Sequence, residues 1–124
     1  MGEEMLSIKE GLHFDVSRAA NEIEQFIRSE VNRLGKRGVV LGLSGGLDSS
    51  TCAILCVRAL GRSRVLTLLL PERDTNMQNM ADARLVAQML DLQPIHIDIS
   101  PLLATIGVYN LVSGEQAGNR PMIE

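Results

Sequence analysis

Apolar residues recur at steps of three and four from Val16 through Ala19, Ala20, Ile23, Ile27, Val31 and Leu34, the stripe of a half-exposed amphipathic helix. Asp15 stands where a side chain can cap its first amides. Gly35, with Lys36 and Arg37 beside it, predicts the end, because glycine takes the left-handed turn and cations offset the free carbonyls. The pattern then changes. Gly38-Val39-Val40-Leu41-Gly42-Leu43 is an apolar run without alternation, which predicts a central strand covered on both faces. Asp48 through Leu60 is apolar nearly all round and predicts a largely buried helix that stops at Gly61. Val65 to Leu70 repeats the buried-strand pattern, and Pro71 with the polar stretch Glu72-Arg73-Asp74-Thr75-Asn76 closes it as a surface loop. A further helix is expected from about Gln78 to Leu90, with Ala83, Val86, Ala87 and Leu90 inward. Ile95-His96-Ile97-Asp98-Ile99 alternates strictly and predicts a sheet edge. Ser100 is placed to cap a short helix with Pro101 in its first turn. Residues 1–14 read as an arm and 113–124 as a connector.

Three strands alternating with two helices at this spacing make a parallel sheet of βαβ units in order 3-2-1. Right-handed crossovers place both connecting helices on one face and leave the other for the N-terminal helix. The expected fold class is therefore α/β, a three-layer sandwich on a parallel sheet of at least three strands. The first strand demands neighbours on both sides, yet this order leaves one side open, and an unprotected apolar edge invites pairing. Further strands are expected from a C-terminal continuation, a second chain or a dimer partner.

Length and composition narrow the function. At 124 residues one domain, 1–124, is expected. The formal charge of −3, from 12 basic against 15 acidic side chains, and the three aromatic residues Phe14, Phe26 and Tyr109 supply neither the positive field nor the stacking surface of a nucleic-acid binder. No apolar run approaches the ~20 residues of a membrane span, and the acidic N-terminus does not resemble a secretion signal, so a cytoplasmic location is expected. Cys52 and Cys56 read as two buried thiols on one helix face, short of the four ligands of a zinc site. His13, in the arm, and His96, on the polar side of the edge strand, have no partner in the sequence and are assigned no catalysis.

The chemistry concentrates in Gly42-Leu43-Ser44-Gly45-Gly46-Leu47-Asp48-Ser49-Ser50, between a buried strand and a buried helix. In open α/β sheets ligands bind beyond the carboxyl ends of the strands, where this loop must lie. Unpaired amides at the helix start and the helix dipole favour an anion. Gly45 and Gly46 let main chain approach phosphate oxygens, and Ser44, Ser49 and Ser50 add hydroxyls. A Walker loop is excluded because Leu47-Asp48 follows the glycines and Lys36 is the last lysine; the G-x-G-x-x-G dinucleotide pattern is not met either. A carboxylate in an anion site repels phosphate unless a divalent cation sits between them, so Asp48 implies magnesium. The plainer alternative is a tight strand-to-helix turn with Asp48 complementing the dipole.

Ser44-Gly45-Gly46-Leu47-Asp48-Ser49 resembles the SGGxDS signature of the ATP pyrophosphatases, and within them the chain is similar to the NAD synthetases. The resemblance covers about residues 15–100. It includes Gly-Val-Val-Leu-Gly-Leu before the loop, Ala59-Leu60-Gly61 after it, Leu70-Pro71, Asp82-Ala83 eleven residues beyond Pro71, Ile97-Asp98-Ile99 and Pro101. It implies an adenine nucleotide α hydrolase-like fold and ATP-dependent amidation of deamido-NAD to NAD through an adenylated intermediate, with AMP and pyrophosphate released. By it, Gly42, Leu43, Ser44, Gly45, Gly46, Leu47, Asp48 and Ser49 bind ATP and Asp48 ligates Mg²⁺. No side-chain nucleophile is required. The resemblance further implies a homodimer, ammonia or glutamine-derived ammonia as co-substrate, and a chain truncated at its C-terminus and inactive alone. Where relatives often carry serines after the second strand's proline, this chain has Glu72-Arg73-Asp74-Thr75-Asn76; Arg73 is open to a phosphate or adenine contact, or to simple exposure. The alternatives are another ATP-pyrophosphatase amidotransferase of the GMP-synthetase type, a tRNA-thiolating enzyme, which the lack of basic patches and of a CxxC motif disfavours, and a non-catalytic nucleotide-binding fragment.

Overall fold

In the computed structural model, which describes residues 14–112, Asp15 accepts the Arg18 N–H at 3.1 Å and starts helix α1, Val16–Arg33. Gly35, at φ +63°, ends it in the left-handed turn expected of it. The chain then forms β1 (Val39–Gly42), α2 (Leu47–Leu60), a 3-10 turn at Arg62–Arg64, β2 (Val65–Leu69), α3 (Met77–Met89), β3 (Ile95–His96), α4 (Ser100–Thr105) and α5 (Val108–Val112). The three strands make an open parallel sheet in the order β1-β2-β3. Val39 stands opposite Val65, and Leu68 opposite Ile95.

Side chains alternate across a strand, so each residue's parity decides its face. Leu43, Val65 and Leu69 point to the side where α2 and α3 lie, and with Ala53 of α2 and Ala83 and Ala87 of α3 they form the core. The three alanines are completely or almost completely buried and let both helices sit close on the strands. Leu69, 2% exposed, contributes about 1.5–3 kcal/mol by burial. Thr67 on the same face is also buried, and its Oγ1 has no hydrogen-bond partner.

The open α/β sheet is the expected one, but three details differ. Helix α1 does not occupy the face opposite the connecting helices. It packs on α2, where Arg28 Nη1 donates to the Ala59 carbonyl at 3.3 Å and Arg58 Nε lies 2.6 Å from Glu24 Oε1. That pair is within ion-pair distance, although Glu24 Oε1 has no well-aligned hydrogen bond. A stripe states that a helix buries one side, not against what; because α2 is apolar on more than one side, it offers α1 a surface. Second, the other sheet face is uncovered among the described residues, with exposure running from 40% at Leu66 and 41% at Leu70 through 45–46% at Ile97 and Ile95 to 63% at Val40. β1 likewise pairs only with β2. Third, α2 is less buried than its composition suggests: Cys52 is exposed and Ile54 is 41% exposed, although Cys56 is partly buried. Burial, and then the nearby Cys52, push the Cys56 thiol above its usual pKa.

Ser100 is the first residue of α4 and not its cap. Its N–H instead donates to Asp98 Oδ1 at 2.8 Å, and hydrogen bonds from the Ser100 hydroxyl and then its amide hold the Asp98 carboxyl below the usual range. Helix α5 has no counterpart among the expected elements. The arm with His13 and the connector 113–124 lie outside the described residues. No described helix is long and apolar enough to cross a membrane.

Candidate functional site: the turn from β1 into α2

β1 reaches Gly42, and Leu43 extends the pairing by donating its N–H to the Leu68 carbonyl at 2.9 Å. The Leu43 side chain is buried in the core, so only its backbone faces the site. The chain then turns through Gly45 at φ +86°, a conformation that disfavours any side chain. A Cβ on Gly45 would also collide with the Asn79 carbonyl. The turn is therefore seated directly against the start of α3.

Gly46 is the N-cap of α2 and brings no side-chain cap, which leaves first-turn amides directed outward at the positive end of the helix dipole. Two hydroxyls brace the turn. Ser49 Oγ accepts the Ser44 N–H at 3.2 Å and lies 3.0 Å from Ser44 Oγ, which in turn accepts the Gly46 N–H at 3.2 Å. Ser50 is aimed elsewhere, its hydroxyl donating to the Gly46 carbonyl at 2.7 Å. Leu47, 81% exposed, and Asp48 project into solvent. No group of three or more His, Cys, Asp or Glu side chains able to hold a metal exists among the described residues. A cation at Asp48 would thus need oxygen atoms from its ligand and from water.

A hollow of about 500 Å³ opens beyond the ends of β1 and β2, a size suited to a small-molecule ligand. Gly42, Leu43 and Ser44 form one wall, with Leu68 and Leu70 beside them. Asp74, Thr75, Asn76, Asn79 and Met80 form the facing wall. Gly45, Gly46, Leu47, Asp48 and Ser49 continue from its Ser44 corner without lining it. The sequence assigns no role to this facing wall; its one local signal is Asn76, whose Oδ1 accepts the Gln78 N–H at 2.7 Å and so caps α3, while Arg73 does not line the hollow. Arg73 is engaged within its own loop. It makes two hydrogen bonds to Asp74, at 3.2 and 3.1 Å, and its guanidinium stands 3.8 Å over the Tyr109 ring. The Asp74 hydrogen bond holds its pKa above even the usual guanidinium value. His96 accepts from Arg84 Nη2 at 3.2 Å in a second hollow that Asp98 also lines.

Comparison with known proteins meets this geometry. A family model described as NAD synthase matches residues 19–117. The NH(3)-dependent NAD(+) synthetase of Methanocaldococcus jannaschii is 46% identical over 87 residues, 70% of this chain and 34% of that protein. The enzyme of the same name from Hyperthermus butylicus is 40% identical over 116 residues, 93% of this chain and 41% of that protein. Among solved structures, the NH3-dependent NAD synthetase from Campylobacter jejuni, in complex with the nitrate ion, superposes with a TM-score of 0.73 at 32% identity, over 90% of this chain and 45% of that one. The NMN synthetase from Francisella tularensis follows at 0.71 and 25% identity, over 80% of this chain and 41% of that one. The chain spans about a third to two-fifths of the length of these curated relatives. With the family model matched over most of its length and the β1–α2 turn set at the ends of a parallel sheet, the chain belongs to the NAD synthase family.

Proposed function

We propose that this chain is the ATP-binding part of an NAD synthetase, a ligase that activates the nicotinate carboxylate of deamido-NAD with ATP and then places ammonia on it. The observation that carries this reading is the uncapped first turn of α2, entered through left-handed Gly45 beside the 500 Å³ hollow. In the proposed reaction a carboxylate oxygen attacks the α-phosphorus, the bond from that phosphorus to the αβ-bridging oxygen breaks, and pyrophosphate leaves with the electron pair. Ammonia then attacks the acyl carbon, loses a proton, and AMP departs. That the similar enzymes of Methanocaldococcus jannaschii and Hyperthermus butylicus are NH(3)-dependent supports ammonia as the nitrogen donor.

Within that reaction the main chain from Gly42 to Ser49 holds the phosphates. Outward first-turn amides, with whichever hydroxyl of the Ser44–Ser49 pair does not donate to the other, supply donors fixed before charge develops, which is where preorganised hydrogen bonds act most strongly. Asp48 fits magnesium, a hard cation usually held by one or two carboxylates with phosphate and water oxygens completing its shell. When bound, that ion offsets charge gathering on the departing pyrophosphate. The polar wall of Thr75, Asn76 and Asn79 faces the rest of the nucleotide.

Asp48→Asn tests the reading. Calorimetric titration is expected to show Mg-ATP affinity falling roughly tenfold or more, because the lost charge acts on the cation, while metal-free ATP is little changed or tighter. Equal losses for both forms, or no nucleotide bound by the parent chain, would overturn it. In the full-length protein, exchange of labelled pyrophosphate into ATP should require deamido-NAD.

A further inference from the structure

The wall of the hollow that faces Ser44 has no regular secondary structure from Leu70 to Asn76, yet it is tied down from a distance. Tyr109, the chain's single tyrosine, sits in α5, which follows α4 after a turn through Gly107 at φ +80°. Its hydroxyl donates to Glu72 Oε2 at 2.8 Å and accepts the Arg73 N–H at 3.1 Å. The other Glu72 oxygen accepts the Asp74 N–H at 2.9 Å. Thr75 closes the loop on itself, Oγ1 accepting the Glu72 N–H at 2.8 Å and its own N–H donating to the Glu72 carbonyl at 3.0 Å. The Arg73 guanidinium covers the Tyr109 ring, a stacking that adds attraction without further hydrogen bonds.

One phenol therefore engages both a side chain and a backbone amide of the segment that carries Asp74, Thr75 and Asn76 into the hollow. We propose that Tyr109 is a positioning residue for the nucleotide pocket, its hydroxyl and ring latching the Glu72–Asn76 loop so that this wall is formed before ligand arrives. A wall ordered in advance removes part of the entropy cost of binding. The inference rests on the nucleotide reading of the hollow and adds to it a residue outside the phosphate-binding turn, 36 and 37 positions along the chain from its partners.

Tyr109→Phe keeps the ring and removes the hydroxyl. The expected result is a roughly five- to twentyfold weaker Mg-ATP affinity, with faster amide hydrogen exchange at Arg73 and Asp74. The melting temperature should stay within about 2 °C, the behaviour of a change outside the core. Glu72→Ala should give the same two effects, and the double variant should lose less than the sum of the two, because the Tyr109–Glu72 hydrogen bond is already gone in either single variant while the Arg73 and Asp74 amide bonds are lost separately. A merely structural role would move the melting temperature and leave Mg-ATP affinity unchanged. Unchanged exchange at Arg73 and Asp74, unchanged affinity, or additive losses would each overturn the latch. Should Tyr109→Phe fail to fold, Glu72→Ala decides by the same readouts. If the parent chain binds no Mg-ATP, the nucleotide reading fails by itself, and the exchange rates still show whether the latch holds the loop.

Discussion

Gly45→Ala adds one methyl group at the point where the β1–α2 turn meets α3. Two costs follow from its surroundings. The backbone sits at φ +86°, where an L side chain costs about 1–2 kcal/mol. The new Cβ would also press on the Asn79 carbonyl, and overpacking of this kind costs about 1–3 kcal/mol when neighbours cannot yield. Backbone yields less readily than a side-chain tip. If the turn keeps its place, the two together amount to about 2–5 kcal/mol, a large share of the stability of a domain of this size. If the turn moves off α3 instead, stability recovers, but the amides of the proposed phosphate site are displaced. Gly46→Ala is the internal control. Gly46 has an ordinary φ of −80°, and its added Cβ would meet only Ser44 Oγ, at 3.2 Å; a loss of about 1 kcal/mol or less is expected, near the cost of a poorer N-cap. Urea unfolding and Mg-ATP titration of both variants make the comparison. A Gly45→Ala chain that matches the parent in both measurements, or a Gly46→Ala chain that suffers equally, would refute the claim that the turn is locked by its left-handed glycine against Asn79.

Two further outcomes concern the core. Thr67→Val replaces a buried hydroxyl that has no partner with a methyl of similar size and should stabilise the fold by about 1 kcal/mol, by removing an unsatisfied polar group; a lower melting temperature would show that the hydroxyl has a bonded role. Arg58→Ala leaves the Glu24 carboxylate, whose side chain is only 10% exposed, without its ion-pair partner. A loss of about 1–3 kcal/mol in urea unfolding is expected, moderated by the exposed arginine side. Glu24→Leu should be tolerated far better, and the reverse ranking would dismiss the pair as a determinant of α1 docking.

What could be read before the structure follows from how local each determinant is. Asp15, Gly35 and the stripe of α1 act within a few residues, and so does the Ser44-Gly45-Gly46 turn, where amide geometry, serine hydroxyls and a carboxylate are all set by adjacent positions. Strand order followed from two short crossovers. The docking of α1 was not legible, since periodicity identifies a buried side without naming what buries it; the Glu24–Arg58 pair that marks the contact joins two helices separated in the chain by the first strand. The facing wall of the hollow was hidden for a related reason. Thr75, Asn76 and Asn79 come opposite Ser44 only after β2 returns alongside β1, and nothing near Glu72 in the sequence announces Tyr109. The bare sheet face shows the limit in the other direction: an unbroken apolar run reports that a strand is suited to two covered faces, not that these residues supply both covers.

The alanines beneath α2 and α3 have a meaning for the site that no ligand contact reveals. Ala53, Ala83 and Ala87 act as spacers of minimum thickness, and the gap between the Ser44 turn and Asn79 is inherited from how low the two helices ride above the strands. A bulkier residue at any of the three would act as a shim, raising one helix and prying the β1–α2 turn away from the facing wall of the hollow. Substitutions buried out of reach of any ligand can in this way set the width of the hollow proposed to take the nucleotide.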